Sequence, residues 1–153
     1  MKYHRQETKD TCGPACMRMA LGMLGIKKSE KSMARLLKTD NIYGTLNKNF
    51  PLVAKKYSLT YRSSGMSTTS NLKSLMKQGY VVIVCYFIRK EREYHYAVVR
   101  KIGARHIHLY DPWFGPRHAY TTSHFMRIWK GNRSLKEADR WFFALRKHGL
   151  NKL

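Results

Sequence analysis

Tyr80-Val-Val-Ile-Val-Cys-Tyr-Phe-Ile88 is the longest uninterrupted apolar run of the sequence. Its β-branched and aromatic residues are typical of a strand that is buried on both faces of a sheet. Nine residues are the length of a strand and far short of the ~20 apolar residues that a membrane-spanning helix needs. The run therefore predicts a fully buried strand and no transmembrane segment.

Four helices are predicted before this strand, over residues 12–24, 30–39, 46–57 and 71–78. Pro14 suits the first turn of the first helix, where its missing amide hydrogen is no loss, and Gly25 suits the exit. Ser29 is the expected cap of the second helix. Pro51 weakens the prediction of the third. The N-terminal half is therefore expected to be mainly helical.

Three further strands are predicted after it, over residues 94–101, 106–111 and 141–146, with a short helix after Ser123. The connection between the first two includes Gly103 and has the length of a hairpin loop. Since helices come first and antiparallel strands follow, the sequence predicts an α+β fold. In this fold, N-terminal helices pack against a C-terminal antiparallel sheet.

The length of 153 residues is that of one domain. Hydrophobic residues make up 43% of the chain, and a compact fold of this length buries about 68–70% of the surface that the unfolded chain exposes. These values exclude a chain that is disordered throughout. We expect a single domain over residues 1–153, with a core over about residues 3–147.

The chain carries 30 lysines and arginines against nine acidic residues, a formal net charge of +21. The excess is spread evenly over both halves, which excludes a basic tail on a neutral body. A charge of this size attracts nucleic acid, anionic lipid or acidic protein, but it does not define a fold or a reaction. Nonspecific association with nucleic acid or with an anionic membrane surface is therefore one expectation.

Three cysteines, Cys12, Cys16 and Cys85, cannot all pair within the chain. Their low density is unlike that of a small secreted disulfide scaffold. The first ten residues are mainly polar and do not form a signal peptide. These features favour a reducing compartment, and we expect a cytoplasmic protein in which Cys16 and Cys85 are packed in the core.

Cys12 begins a predicted helix, where free backbone amides and the positive end of the helix dipole favour a thiolate, the nucleophilic form of cysteine. Gly13 and Pro14 leave the approach to the thiol uncrowded. Six residues earlier, the amide of Gln6 can partner the backbone amide of Cys12 in an oxyanion hole. Against this stands the alternative that Cys12 only packs, as buried free cysteines do.

His95 begins one strand of the predicted hairpin and Asp111 ends the other. If the two strands are neighbours, both side chains lie near the same end of the sheet. There the carboxylate can orient the imidazole and favour its protonated form. The alternative is a satisfied strand histidine and a turn aspartate before Pro112.

Three segments occur in a fixed order: Gln6-x5-Cys12-Gly-Pro, His95-Tyr-Ala-Val-Val and Tyr110-Asp-Pro-Trp-Phe-Gly. Together they resemble the papain-like cysteine peptidases of the bacteriocin-processing type, which cleave leader peptides after a double glycine. The likeness covers most of the chain.

The resemblance implies a papain-like fold and a peptidase that hydrolyses peptide bonds without a cofactor. It implies Cys12 as nucleophile, His95 as general base and acid, Asp111 as the orienting group and Gln6 in the oxyanion hole. A polypeptide substrate is implied, and the charge adds the hypothesis of a preference for acidic polypeptides. Because the chain has about the length of the peptidase domain, a stand-alone member is expected.

Two other functions remain open from the sequence. An inactive papain-like domain would serve as a basic module that binds nucleic acid or an anionic surface, although no nucleic-acid-binding motif accompanies the charge. A thioester-forming acyl transferase or amidase would use the same thiol but pass the acyl group to an amine. No metal site is expected, because His106 and His108 share a strand face without further ligands at suitable spacing.

Overall fold

The computed structural model describes residues 1–149 of the chain. Within them the α-helices are α1 (Cys12–Met23), α2 (Glu30–Leu36), α3 (Phe50–Lys56), α4 (Thr69–Lys77) and α5 (Thr122–Ile128), with short 3-10 helices at Asn47–Asn49 and Arg133–Leu135. The strands are β1 (Leu59–Ser64), β2 (Val81–Ile88), β3 (Glu93–Ile102), β4 (His106–Asp111), β5 (Gly115–Thr121) and β6 (Phe142–Lys147).

The helix ends follow from local sequence. After α1, Gly25 adopts a φ of +81°, which favours glycine. The Ser29 hydroxyl accepts a hydrogen bond from the Ser32 amide at 3.1 Å and so caps α2. Thr68 and Asn71 form a capping box at the start of α4, with each side chain accepting from the other's backbone amide.

The six described strands form one antiparallel sheet in the order β1-β6-β2-β3-β4-β5. β2 pairs with β3 on one side and with β6 on the other. Its residues 81–86 are all buried, which confirms the prediction from the apolar run. The β3–β4 hairpin is also confirmed, with Val98 opposite Tyr110.

Each face of the sheet is covered by helices. α1, α2 and α3 pack on one face, where Ile83, Val98 and Phe143 contribute to the core. α4 and α5 pack on the other face, against Val84 and Val99 among others. The α+β class is confirmed, but the helices enclose the sheet instead of lying on one side of it.

The edge strands β1 and β5 were not predicted from the sequence. β1 lies between α3 and α4, so the helices do not all precede the strands. Its last three residues are exposed and β5 contains Pro116, which an edge strand tolerates because one side makes no ladder hydrogen bonds. Edge strands thus lack the continuous apolar pattern that identified β2.

The third predicted helix, over residues 46–57, is divided. Residues 47–49 form a 3-10 turn, and α3 begins at Phe50 with Pro51 in its first turn. Pro51 therefore marks the start of a helix and does not weaken its interior, since a first-turn residue needs no amide partner.

The single domain over residues 1–153 stays a prediction, and residues 150–153 lie outside the described part of the chain. Among residues 1–149, none of the helices combines the length and the hydropathy required to cross a bilayer.

Candidate active site

Cys12 is the first residue of α1, directly after the N-cap residue Thr11. Its side chain is partly exposed, whereas Cys16 and Cys85 are buried. Burial, the largest influence, raises the pKa of both buried thiols well above the usual range. The expectation that these two cysteines pack in the core is confirmed, and Cys12 is the accessible thiol among the three.

The space beside Gly13 is occupied by Thr45. A Cβ atom at Gly13 would lie 2.6 Å from Thr45 Oγ1 and 2.8 Å from Thr45 Cβ. Glycine therefore allows the loop before α3 to close against the start of α1. Thr45 therefore occupies the space on the Gly13 side, whereas Cys12 itself stays partly exposed.

His95 and Asp111 form a buried pair at one end of the β3–β4 hairpin. Imidazole Nε2 lies 2.7 Å from Asp111 Oδ1, and 7% and 0% of the two side chains are exposed. The pairing of β3 with β4 brings them together, as the hairpin predicts. With Nε2 bound to the carboxylate, Nδ1 is the ring nitrogen left for another partner.

The Asp111 carboxylate accepts four hydrogen bonds. Besides His95, its Oδ1 accepts from the backbone amides of Trp113 and Phe114, both at 2.9 Å, and its Oδ2 accepts from the Tyr86 hydroxyl at 2.5 Å. Burial alone would raise the pKa of this carboxyl, but the His95 hydrogen bond and charge and the Tyr86 donor lower it. Asp111 is thus held as a carboxylate of fixed orientation.

The imidazole of His95 is held in its charged form. Burial lowers the pKa of His95, but the charge of Cys12, the Asp111 hydrogen bond and a hydrogen bond with Cys12 outweigh burial and raise it to about 10. Cys12 is therefore close enough to act on the ring directly. The His95 ring thus interacts with the Asp111 carboxylate through Nε2 and with the charge of Cys12.

Gln6 is 8% exposed and is held at both ends. Its backbone amide donates to Pro112 O at 2.9 Å, and its side-chain Nε2 donates to Thr8 O at 2.8 Å. Because an amide nitrogen carries two hydrogens, one remains for a second acceptor. Gln6 thus joins the segment that follows Asp111 to the turn that leads into Cys12.

Two buried residues of this region were not identified from the sequence. Tyr86, fully buried on β2, orients Asp111, but within an apolar run its hydroxyl gives no local signal. Glu30, 2% exposed on α2, accepts from the Glu7 backbone amide at 2.9 Å and steadies the segment before Cys12. The pKa of Glu30 is raised, because the effect of burial exceeds that of its hydrogen bonds.

A cleft of about 290 Å³ opens beside Cys12. The loop around Tyr43 and Thr45 and the aromatic side chains of Tyr94 and Tyr96 contribute to its walls. Its charged lining residues are Lys9, Asp10, Arg92, Glu93 and Glu137. The high positive charge of the chain is therefore not concentrated at the thiol.

The histidines on β4 do not assemble a metal site. His106 and His108 lie with ring centroids 6.1 Å apart. Across residues 1–149, no group of three or more histidine, cysteine or acidic side chains is placed to hold a metal ion.

Comparison with known proteins agrees with this geometry. Residues 1–137 match the family described as Peptidase_C39 like. The chain belongs to this family. An uncharacterized protein of Methanothermobacter marburgensis is 30% identical over 135 residues, covering 88% of this chain and 87% of the relative.

Solved structures share the fold of this C39-like chain at low sequence identity. The peptidase domain of Streptococcus ComA, a bifunctional ABC transporter of a quorum-sensing pathway, superposes with a TM-score of 0.78 and 22% identity, covering 96% of this chain and 98% of that domain. A double glycine motif protease from an AMS/PCAT transporter, solved with its leader peptide, gives a TM-score of 0.72 and 14% identity, covering 95% and 91%.

These findings confirm the resemblance to bacteriocin-processing peptidases and the papain-like fold. A C39-like peptidase of Bacillus anthracis also has this fold, with a TM-score of 0.72 and 11% identity over 96% of this chain and 94% of its own.

Proposed function

We propose that the protein is a papain-like cysteine peptidase in which Cys12, His95, Asp111 and Gln6 carry the reaction. The observation that supports this most strongly is the buried 2.7 Å pair of His95 and Asp111 next to the accessible thiol at the start of α1. Catalytic groups are typically brought together in this way from distant parts of a chain, with the base oriented by a third residue.

In the proposed reaction, the Cys12 thiolate attacks the peptide carbonyl carbon and the carbonyl oxygen becomes negative. Backbone and Gln6 amide hydrogens stabilise this oxyanion. When the C–N bond breaks, the His95 imidazolium gives its proton to the departing amine. Water then attacks the thioester, with neutral His95 as base, and releases the acid and the thiolate.

Asp111 has a positioning role in this scheme. Its carboxylate binds Nε2 and so directs Nδ1 toward Cys12, which fixes the tautomer and stabilises the imidazolium. It needs no proton of its own, which agrees with its lowered pKa.

The substrate is proposed to be a polypeptide. The open cleft next to Cys12 suits an extended chain, and the related AMS/PCAT protease was solved with a leader peptide. The cleft carries the carboxylates of Asp10, Glu93 and Glu137 against the cations of Lys9 and Arg92. The hypothesis of a preference for acidic polypeptides therefore gains no support from the charges at the cleft.

Action in a reducing compartment, the cytoplasm, is part of the proposal. A nucleophilic thiol must remain reduced, and the chain keeps three free cysteines.

The function is tested by incubating the protein with a mixture of defined peptides, one set containing a double glycine, and identifying products by mass spectrometry. Cleavage is expected with the wild type and not with Cys12→Ala, because the thiol forms the covalent intermediate. Cys16→Ala is the matched control, one helical turn further along α1, and should retain cleavage.

An added amine separates the two thiol chemistries. Hydrolysis gives free carboxyl ends whether or not the amine is present, whereas an acyl transferase gives amide products in its presence. Failure to cleave any peptide, combined with failure of Cys12 to form an acyl adduct with an activated ester, would reject the peptidase assignment.

A further inference from the structure

A second cavity of about 520 Å³ lies along α1, on the part of the helix remote from Cys12. Basic residues dominate its lining: Lys2, His4, Arg18, Lys27 and Lys28. They come from the N-terminal segment, from α1 and from the loop after it. None of the lining residues that the structure describes is acidic, unlike those of the cleft at Cys12.

The basic groups lie close enough to act on one another. Burial lowers the pKa of His4, and the positive charges of Arg18, Lys2 and Lys27 lower it further. Glu7 and the buried Glu30 are acidic residues that act on this group, and Glu7 Oε2 lies 3.5 Å from Arg18 Nη1 with 60% of its side chain exposed. A long, exposed ion pair contributes little, so the cavity keeps a positive potential.

Glycines keep the cavity open. A Cβ atom at Gly22 would meet no atom within 4 Å, and one at Gly25 would lie 3.7 Å from Lys147 Nζ. Lys147, at the end of β6, thus adds a further cation beside the lining residues. The ammonium of Lys28 lies 5.2 Å from the centre of the Tyr57 ring, which restrains it on the rim.

We propose that this cavity is a binding site for a compact anion with two or more phosphate groups. Its volume is in the range of small-ligand sites. Several lysine and arginine side chains around one space form charge-assisted hydrogen bonds with phosphate oxygens, and the bound anion removes their mutual repulsion. One phosphate would leave most of these cations without a partner.

The site is separate from the proposed catalytic centre. Arg18 and Gly22 follow Cys12 by six and ten residues on the same helix, which corresponds to about 9 and 15 Å along its axis. Binding therefore does not depend on the peptidase assignment and can be measured without a peptide substrate.

The test is isothermal titration calorimetry of the full chain with inorganic triphosphate and, separately, with ATP at pH 7.5 and 150 mM KCl. Saturable binding of one triphosphate per chain is expected. Similar affinity for both ligands would identify the phosphates as the recognised group, and tighter binding of ATP would show that the nucleoside also contacts the cavity. Both results support the proposal.

A charge variant and its matched control locate the site. Lys2→Gln with Lys27→Gln removes two exposed lining cations, and affinity is expected to fall about tenfold or more because two phosphate contacts are lost. Lys73→Gln with Lys77→Gln is the control, because it removes the same charge from exposed positions of α4, on the other face of the sheet. This control is expected to change the affinity less than about twofold.

A third variant, Gly22→Leu, fills the cavity without changing charge and should also weaken binding. The proposal is overturned if triphosphate binding does not saturate at one per chain, if the α4 control loses as much affinity as the cavity variant, or if Gly22→Leu binds like the wild type. Any of these results would mean that the ligand responds only to the overall charge.

Discussion

The Tyr86 hydroxyl is the buried contact that distinguishes this His-Asp pair from an ordinary ion pair. It binds Asp111 Oδ2 while His95 and two backbone amides bind Oδ1, so both carboxylate oxygens are held. The Tyr86 ring also meets the His95 ring edge to face, with centroids 5.5 Å apart. We infer that Tyr86 is a positioning residue that acts through Asp111.

Tyr86→Phe removes this donor, together with the hydrogen bond between the Tyr86 and Tyr120 side chains. Because the buried Oδ2 of Asp111 then has no hydrogen-bond donor, the variant is expected to lose about 1–3 kcal/mol of stability. The pKa of Asp111 is lower in the folded protein than in the unfolded chain. The carboxylate therefore stabilises the fold fully at a pH above the unfolded-state pKa, and this stabilisation is lost as the pH falls through the folded-state pKa. In Tyr86→Phe this loss should begin at a higher pH.

NMR titration of the His95 imidazole during acidification measures the effect of Tyr86→Phe, since the ring senses protonation of Asp111. Tyr80→Phe, which removes a hydroxyl just before the same strand, is the control and should titrate like the wild type. If the His95 titration curve of Tyr86→Phe matches that of the wild type at acid pH, the positioning role is contradicted.

The pH dependence of Cys12 reactivity tests the link between the thiol and His95. Since the pKa of His95 is raised to about 10, its positive charge is expected to persist from pH 5 to pH 9. Alkylation of Cys12 by iodoacetamide should therefore stay fast at pH 6, where a free thiol with pKa ~8.5 is almost entirely protonated. In His95→Gln the rate at pH 6 should fall at least about tenfold.

Peptide mapping of the alkylated protein provides an internal control for this measurement. Burial raises the pKa of Cys16 and Cys85, so neither should be labelled below pH 9 while the protein is folded. Identical profiles for Cys12 in the wild type and in His95→Gln would show that the imidazole does not activate the thiol.

At the scale of elements, sequence predicted what local chemistry determines. Pro14 and Gly25 marked the ends of α1, and the continuous apolar run marked β2. Two strand patterns and a short glycine-containing loop predict the β3–β4 hairpin, and this hairpin places His95 near Asp111. Nucleophile, base and orienting group could therefore be proposed from the chain alone.

The sequence does not predict elements whose secondary structure depends on contacts with distant parts of the chain. β1 and β5 are edge strands with exposed side chains, and they are strands only because β6 and β4 supply their hydrogen bonds. Tyr86 gained its role from its register opposite His95, a pairing that no local pattern of β2 contains. The contact of Gly13 with Thr45 likewise required the loop before α3 to fold back onto α1.

Across the whole molecule, the sequence showed a uniform excess of positive charge, whereas the structure shows an uneven distribution. Lys2, Arg18 and Lys27 are far apart in the chain but line one cavity, and three of the nine acidic residues line the cleft at Cys12. Tertiary packing thus separates a mixed-charge cleft from a basic cavity. Counting charges along the chain cannot reveal this separation.

The same charge predicts how salt affects stability. Residues 1–149 include the ion pairs of Arg18 with Glu7 and of His95 with Asp111, against a formal charge of +21 for the chain. Repulsion between cations therefore outweighs attraction, and it is stronger in the folded chain, where the charges are closer. Raising NaCl from 10 to 150 mM shortens the screening length from about 30 to 8 Å and should raise the unfolding free energy by roughly 1–2 kcal/mol.

Urea unfolding at each salt concentration measures this change. Lys73→Gln with Lys77→Gln lowers the charge on α4 without touching either cavity, so this variant should be more stable than the wild type at 10 mM NaCl and should gain less from added salt. If the unfolding free energy instead falls as NaCl is added, attractive ion pairs dominate and the excess positive charge does not destabilise the fold. A gain of equal size in both proteins would assign the effect to chloride bound elsewhere, because screened repulsion must scale with the charge that the variant removes.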